Sequence, residues 1–344
     1  MTCYPIETGA KLHQNDQKSP IMKQLFPLPL LLLVLAVNVV AQPDVSGSRI
    51  CTVQQLLPNA DLRNCNLSDM HLPDNIDLQG ADLSGANLSN TEIRGARLNS
   101  ANLTGAILDG ANLVGSDLSW ANLQHTHVEG ARLASVRFTA ADMRNANFQN
   151  SDLTGAELRD AQLAFADFSG ASMTHSYFEN VNFADAIFVQ TDMDRSHFSG
   201  ADFSRANMQH ARLAGSVLTR ANLSATNLTG AELYSSNLNH ANLQHSDLDE
   251  ALMHLANIED ADLSDASLNK TRLTKTRLTG ANLSGANLTD ADMSHSLMWY
   301  ANFTDAIMVR TNLTSTGLEG AILHGSDMTG AILVHCREKS FCNP

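Results

Sequence analysis

The sequence is poor in basic residues and in aromatic residues. It contains 22 Lys and Arg against 36 Asp and Glu, giving a formal net charge of −14, and aromatic residues make up 5% of the chain. Binding to nucleic acid depends on Lys and Arg side chains that neutralise phosphates, so this balance argues against bare DNA or RNA as a partner. The acidity favours solubility and does not by itself identify a partner.

Cysteine is absent from the whole interval between Cys65 and Cys336. Two cysteines stand near each end of this interval, and no Cys-x-x-Cys pair or matching histidine spacing indicates a zinc site. We therefore predict one disulfide at each end, Cys51–Cys65 and Cys336–Cys342, as expected in an oxidising compartment. The alternative for Cys65 is an ordinary small core residue.

The first 42 residues differ in character from the rest. Lys23 precedes an apolar run from Leu25 to Ala41, and small residues end that run. This pattern predicts a secretory signal peptide cleaved after Ala41, with the true start at either Met1 or Met22. An uncleaved membrane anchor is the alternative, although the run is interrupted by two prolines and an asparagine and is short for a span of roughly 20 residues.

The rest of the chain follows a period of five. From Leu78 to Leu333 every fifth residue is Leu, Ile, Val, Met or Phe, and the residue two positions earlier is mostly Ala, Ser or Thr, as in the segment Ala281–Leu288. This period fits neither an α-helix nor a flat strand. Nearly all the glycines fall two residues after the apolar residue, which marks a recurrent corner.

The repeated Ala-Asp/Asn-Leu-x-x unit, present from about Asn59 to Val334, resembles the pentapeptide repeat proteins. The resemblance implies an all-β fold, a right-handed quadrilateral parallel β-helix in which four pentapeptides form one coil. The apolar residue and the small residue are expected to face inward, and backbone groups to pair between coils. The number of units predicts a solenoid of nearly 14 coils, about 65 Å long.

The phase of the repeat predicts the domain boundaries. Units centred on Leu62, Leu67 and Leu72 are one residue out of phase with the others, which predicts a bulge near Pro73. The ends of a solenoid need caps that cover its core and its edges. We assign residues 1–42 to an N-terminal extension and signal peptide, 43–60 to an N-terminal cap, 61–334 to the β-helix and 335–344 to a C-terminal cap.

Exposed aromatic residues are the departures from the repeat that indicate a contact. Leu297, Trp299 and Tyr300 occupy all three outward positions of one unit, whereas Met298 points inward. Trp and Tyr are enriched at binding hot spots, although isolated apolar residues on a surface are common. Leu297, Trp299 and Tyr300 are therefore the candidate partner-contact residues, and Trp120 stands alone at another corner.

Charged columns have a structural explanation, because a coil of 20 residues places each residue beside the one 20 positions later. One such outward column alternates in sign: Glu250, Lys270, Asp290 and Arg310. Exposed pairs of this kind are worth only a few tenths of a kcal/mol each. A basic run is expected to neutralise acidic neighbours rather than to bind an anion: Lys270, Arg272, Lys275 and Arg277.

Phenylalanine and histidine also follow the repeat. Most Phe residues at inward positions lie between Phe138 and Phe203 and are expected to stack inside the solenoid. Six histidines occupy corners, none has another histidine one coil away, and no Asp or Ser partner is expected to recur: His125, His175, His210, His240, His245 and His295. The sequence therefore predicts no catalytic residue, no metal site and no cofactor.

These observations predict a non-enzymatic, exported structural or protein-interaction scaffold with an acidic surface, located in the periplasm or outside the cell. Its partner is expected to be a protein, with no direct binding to nucleic acid and with membrane contact only if the signal segment is uncleaved. The first alternative is a DNA mimic that binds a topoisomerase and protects gyrase, as the resemblance allows, and the second is a membrane-anchored scaffold. A homodimer is allowed, because family members often dimerise end to end.

Overall fold

The structure, a computed structural model, describes residues 49–336. These residues form a solenoid of parallel β-bridges in which successive coils stack. The predicted signal segment and Cys342 lie outside the described residues, so the predicted pair Cys336–Cys342 is not described. No helix in the described range is long and apolar enough to cross a membrane.

Each coil contains four pentapeptides, because bridged residues are 20 positions apart. Asn222 pairs with Asn242 in parallel, the Leu223 amide donates to the Asn242 carbonyl at 2.6 Å, and the Asn242 amide donates to the Ala221 carbonyl at 3.0 Å. The same pattern recurs on all four sides. The stacked coils therefore satisfy each other's backbone groups, as the sequence predicted.

Every corner of the solenoid uses a left-handed residue. Gly230 has a φ of +66°, and the following Ala231 amide donates to the Leu228 carbonyl at 2.9 Å, closing a turn. Corner positions that lack glycine have the same conformation, as at Asn150 with a φ of +58°. A turn whose third residue alone has a positive φ is of type II, which explains the preference for Gly and Asn at this phase.

The core consists of the apolar residue and the small residue of each unit. Leu283 and Ala281 are fully buried, and the same holds along the array from Leu78 to Leu318, whereas the inward residues of the last coil are partly buried. A Thr at the small position satisfies its hydroxyl on the backbone, as where Thr271 Oγ1 donates to the Leu248 carbonyl at 2.8 Å. Small polar residues are therefore tolerated inside, because each buried donor has an acceptor.

Inward phenylalanines form stacked columns in the middle of the solenoid. The rings of Phe148, Phe168 and Phe188 stack at centroid distances of 4.9 and 5.2 Å, and Phe183 and Phe203 stack at 4.9 Å. These rings are fully buried. The expected stacking is therefore confirmed.

The first coil contains one extra residue. Asp61 pairs with Asp82 and His71 pairs with Glu92, 21 positions apart, whereas Asp77 pairs with Arg97, 20 positions apart. The change falls in the segment around Pro73, where the Ile76 amide donates to the Pro73 carbonyl at 3.2 Å. The predicted bulge is confirmed.

The segment before the first coil lies against it. Strand β1 (Arg49–Ile50) pairs in parallel with β2 (Cys65–Asn66), and a 3-10 helix (Val53–Gln55) follows β1. A disulfide joins Cys51 to Cys65 with a Cα–Cα distance of 5.5 Å, and Leu56 is buried against the core. Cys65 is therefore both a core residue and half of a disulfide.

Candidate interaction surfaces

Four faces run along the solenoid, and we number them by the buried residue of each unit in steps of 20. On each face, the residues before and after the buried one point outward, and a corner residue separates the face from the next. Face 1 runs from Leu78 to Leu318, face 2 from Leu83 to Leu323, face 3 from Leu88 to Met328 and face 4 from Ile93 to Leu333. Corner 1–2 runs from Gly80 to Gly320, and corner 2–3 from Gly85 to Gly325.

Faces 1 and 4 carry arginines that pair with some of the acidic residues of neighbouring coils. On face 1, Arg137 pairs with Asp117 at 2.7 Å. On face 4, Arg212 pairs with Asp192 at 3.1 Å and with Asp194 at 2.7 Å. Part of the acidity is therefore neutralised locally on these two faces.

Face 3 differs, because its outward positions from 87 to 329 contain carboxylates and no Lys or Arg. None of these carboxylates forms an ion pair with another residue of the described range. Neutral donors hold several of them instead, since the Glu129 amide donates to Asp109 at 2.8 Å and the Asn269 amide donates to Asp249 at 2.9 Å. The acidic residues of face 3 are Asp109, Glu129, Asp167, Asp247, Asp249 and Asp327.

Corner residues carry their own ion pairs. Arg205 donates to Asp185 through Nε and Nη2, and Arg310 donates to Asp290 in the same two-bond arrangement. These hydrogen bonds hold the pKa of each aspartate below its ordinary value. The Arg310–Asp290 pair belongs to the column of alternating sign that the sequence predicted, together with Lys270, which lies 3.4 Å from Glu250.

The basic run is only partly neutralised. Lys270 pairs with Glu250, and Arg277 pairs with Glu259 at 2.6 Å. Arg272 and Lys275 form no ion pair with any residue that the structure describes. The prediction of local neutralisation is confirmed for two of the four side chains and wrong for the other two: Arg272 forms no ion pair with a described residue although Asp292 lies beside it in the next coil, and the corner neighbours of Lys275 are Leu255 and His295.

The corner histidines are solvated, but two of them have an acidic neighbour. Nδ1 of His240 lies 3.9 Å from Asp260, and Nδ1 of His245 lies 3.9 Å from Asp265. The prediction that no Asp partner recurs is therefore wrong for these two, because each Asp stands one coil later at the same corner. Among the described residues, no group of three or more His, Cys, Asp or Glu side chains could hold a metal ion.

The candidate contact residues lie together near the C-terminal end of face 1. Leu297 and Trp299 are about one third exposed, and Tyr300, at corner 1–2, is 65% exposed. Trp299 Nε1 lies 2.7 Å from where a Cβ on Gly317 would stand, and Gly320 underlies the Tyr300 ring in the same way. The next coil therefore leaves room for both aromatic side chains.

One exposed aromatic residue at a corner was not among those that the sequence analysis singled out. Phe165 is 59% exposed at corner 2–3, comparable with Trp120 at corner 1–2, whereas the other Phe residues of the array are buried. The signal was available, because Phe165 stands two residues after Leu163, at the corner phase of the repeat.

Comparison with known proteins identifies the repeat. Pentapeptide repeats match in eight copies, over residues 76–115, 116–155, 156–195, 182–220, 216–254, 256–294 and 300–333. No curated protein sequence matches the chain significantly.

Several solved structures similar to this chain are pentapeptide repeat proteins. HetL of the cyanobacterium Nostoc sp. strain PCC 7120, a protein involved in the regulation of heterocyst differentiation, is 29% identical over 57% of this chain and 86% of its own, with a TM-score of 0.42. A protein of the Arabidopsis thaliana thylakoid lumen is 33% identical over 27% of this chain and 65% of its own, with a TM-score of 0.27. QnrB1, a plasmid-mediated fluoroquinolone resistance protein, is 21% identical over 57% and 92%, with a TM-score of 0.35.

The matched repeats cover most of the chain and coincide with the stacked coils. The fold is accordingly the right-handed β-helix of these repeats, and the chain belongs to the pentapeptide repeat family.

Proposed function

We propose that this protein is a non-enzymatic, exported scaffold whose face 3 holds a partner with a cationic surface. The proposal rests on the negative charge of face 3, which no basic residue neutralises. Its six carboxylates have no Lys or Arg among them and form no ion pair with a described residue. Faces 1 and 4 lack this property. Complementary charge raises the rate of encounter and disfavours wrong partners.

Export is supported by the N-terminal pattern and by the disulfide. The apolar run that ends at Ala41 has the features of a signal peptide, and the Cys51–Cys65 bond is of the kind that persists in oxidising compartments. Cell fractionation with N-terminal sequencing tests this step. We expect a mature chain that begins at Gln42, and an intact N-terminus in the membrane fraction would instead support the anchored scaffold.

A matched pair of charge reversals tests face 3. Glu129→Lys with Asp247→Lys changes face 3, whereas Glu157→Lys with Asp152→Lys makes the same change in net charge on faces 1 and 4. Asp247 and Asp152 each accept the amide two residues later, at 3.0 Å, and neither forms an ion pair with a described residue. The two aspartate substitutions therefore lose equivalent local interactions.

The tagged mature protein is used to capture proteins from the envelope and the medium at low and at high salt. We expect partners to be lost with the face 3 variant, retained with the control variant, and released by salt, because exposed charges are screened. Equal recovery with both variants would contradict the proposal.

The patch formed by Leu297, Trp299 and Tyr300 is a second proposed contact with a protein partner. Its support is the exposure of the two rings and the glycines beneath them. Trp299→Ala with Tyr300→Ala in the same capture experiment tests it. Recovery of the same proteins by wild type and variant would remove the patch from the proposal.

DNA mimicry is the alternative use of an acidic face, and the density of charge on face 3 argues against it. Six carboxylates between Asp109 and Asp327 are spread over about 52 Å at ~4.8 Å per coil, or about one per 9 Å. Duplex DNA carries one charge per roughly 1.7 Å. An intact N-terminus in the cytoplasm, together with salt-sensitive binding to a topoisomerase, would favour the alternative.

A further inference from the structure

Face 2 has few charged outward residues. Between Asn102 and Thr304 its outward positions are mostly Asn, Gln, Ser and Thr. The charged exceptions are few, and two of them, Asp142 and Arg144, pair with each other at 2.7 Å. The remaining two, Asp202 and Asp262, accept hydrogen bonds from asparagines of the next coil. This face is therefore a strip of neutral hydrogen-bonding groups.

The amides of face 2 are held in fixed orientation. Asn222 donates from Nδ2 to Asp202 at 2.8 Å, and its Oδ1 accepts from Asn242 and from the Ser224 amide, both at 3.2 Å. Asn282 and Asn302 repeat the arrangement above Asp262. A primary amide has two N–H donors, so one N–H of each such asparagine is left for a ligand. The side chains are already ordered before anything binds, which lowers the entropic cost of binding.

Exposed aromatic rings border this strip on both sides. Trp120 and Tyr300 lie on corner 1–2, and Phe165 lies on corner 2–3. Each is more than half exposed, and each has a φ near +60°, a conformation that favours glycine or asparagine. Folding explains neither property, since the rings are not buried and a bulky residue is disfavoured at this φ. The other bulky apolar corner residue, Leu255, lies between faces 4 and 1.

We infer that face 2, with Trp120, Phe165 and Tyr300 at its edges, binds an extended, uncharged glycan chain that runs along the solenoid. Sugar hydroxyls match the amide donors and acceptors of the strip, and the apolar face of a pyranose ring stacks on an aromatic ring. An uncharged ligand meets little charge on this face and leaves few buried charges unpaired. The inference concerns a different face from face 3. It shares Tyr300 with the proposed protein-contact patch, but glycan binding is tested with the isolated protein and does not depend on a protein partner.

The spacing of the rings favours a polymer over a single sugar. Trp120 and Tyr300 are nine coils apart on the same corner, which corresponds to about 43 Å. Phe165 lies across the face, between two and three coils beyond Trp120. A small ligand contacts one ring at most, whereas a chain that lies on the strip reaches all three, and linked contacts of this kind raise the overall affinity.

Co-sedimentation with insoluble neutral glycans tests the inference. The probes are microcrystalline cellulose, chitin and an insoluble (1→3)-β-glucan, at low and at high salt. We expect the wild type to be retained by at least one of them, with little dependence on salt because no ion pair is involved. Failure to bind all three would overturn the inference.

A triple variant identifies the surface. Trp120→Gly, Phe165→Gly and Tyr300→Asn keep residues suited to left-handed corners and remove the three rings. We expect the apparent affinity to fall by about tenfold or more, which corresponds to the loss of several stacking contacts. The matched control removes three exposed isoleucines from face 3, Ile107→Asn, Ile187→Asn and Ile307→Asn, and should bind as the wild type does. Equal retention of the triple variant and the wild type would overturn the inference.

The chain has only two tryptophans, so fluorescence reports one edge of the strip directly. Trp299→Phe leaves Trp120 as the single indole. Titration with a soluble hexasaccharide of the retained glycan should shift the Trp120 emission to shorter wavelength, because stacking removes water from the ring. An unchanged emission spectrum at saturating ligand would contradict the role of Trp120.

Discussion

The indole of Trp299 covers Gly317 of the following coil, with Nε1 2.7 Å from the position that a Cβ on Gly317 would occupy. Gly317 lacks the left-handed conformation of the corner glycines, so its backbone does not require glycine. The missing side chain instead makes room for the tryptophan. A surface residue and a glycine 18 positions later are therefore one structural unit.

Gly317→Ala should displace the Trp299 side chain while leaving the fold intact. The added Cβ clashes with the end of a flexible side chain, so we expect the free energy of unfolding to change by less than about 1 kcal/mol. In a Trp120→Phe background, Trp299 emission should shift to longer wavelength as the ring moves into water. An unchanged spectrum for Gly317→Ala would contradict the contact.

The stacked phenylalanines should contribute more stability than an isolated one. Phe168 contacts the rings of Phe148, Phe183 and Phe188, whereas Phe303 is equally buried and has no aromatic partner in the described part. Each aromatic pair adds roughly 0.5–1.5 kcal/mol beyond burial. In urea unfolding, Phe168→Leu should therefore cost at least about 1 kcal/mol more than Phe303→Leu. Equal costs would show that the stacking adds nothing beyond buried area.

Acid should destabilise the solenoid through its corner ion pairs. Hydrogen bonds from Arg205 and Arg310 lower the pKa of Asp185 and Asp290 in the folded state. The unfolded value is about 3.9, so this stabilisation is complete above about pH 5 and is lost as the pH falls below about 4. The melting temperature of Asp185→Asn with Asp290→Asn should therefore fall less between pH 6 and pH 3 than that of the wild type. An equal fall in melting temperature for the double variant and the wild type would refute a contribution of these ion pairs to the pH dependence. Asp152→Asn is the control.

The disulfide should stabilise the start of the solenoid. Cys51 and Cys65 are separated by 14 positions, and a loop of this size contributes about 3 kcal/mol in the chain-entropy account. The double variant Cys51→Ser with Cys65→Ser should therefore have a free energy of unfolding lower by about 3 kcal/mol, measured as a lower urea midpoint. Reductant should shift the wild type towards the variant, and a wild-type midpoint that matches the variant without reductant would be evidence against any contribution from the bond.

Trp120→Gly should be tolerated or stabilising, although it removes a large side chain. Trp120 is 65% exposed with a φ of +58°, a conformation that costs an L-residue roughly 1–2 kcal/mol. Glycine removes that cost, and its greater freedom in the unfolded chain offsets roughly 0.5–1 kcal/mol. We expect the free energy of unfolding to rise by up to about 1 kcal/mol. A fall of similar size would mean that the ring packs against the solenoid.

Periodicity predicted most of the fold because each side of the coil has the same length. The five-residue phase placed Leu283 and Ala281 inside, and the out-of-phase units before Pro73 located the 21-residue first coil. The offset of 20 also found the pairs of the corner column, Glu250 with Lys270 and Asp290 with Arg310. These relationships depend on register alone.

Contacts between outward side chains followed a second offset that the sequence analysis did not use. Arg277 pairs with Glu259 and Arg212 pairs with Asp194, in both cases 18 positions apart. The residue after a buried position lies beside the residue before the buried position of the next coil. An offset of 20 alone therefore does not predict these ion pairs. It also does not predict the contact of Trp299 with Gly317.

The sequence by itself determined the coil, its corners and its core, because a strict period of five fixes which side chains point inward. Only the tertiary structure decided which charges meet. Some side chains reach diagonally between coils, so that Asp194 of face 4 and Glu259 of face 1 pair with arginines. On face 3, Asp109 and Asp249 accept hydrogen bonds from neutral donors instead. The stacking of the coils also places Trp120, Phe165 and Tyr300 along the two borders of face 2. Corner residues at the same position of successive coils line up only once each coil has closed.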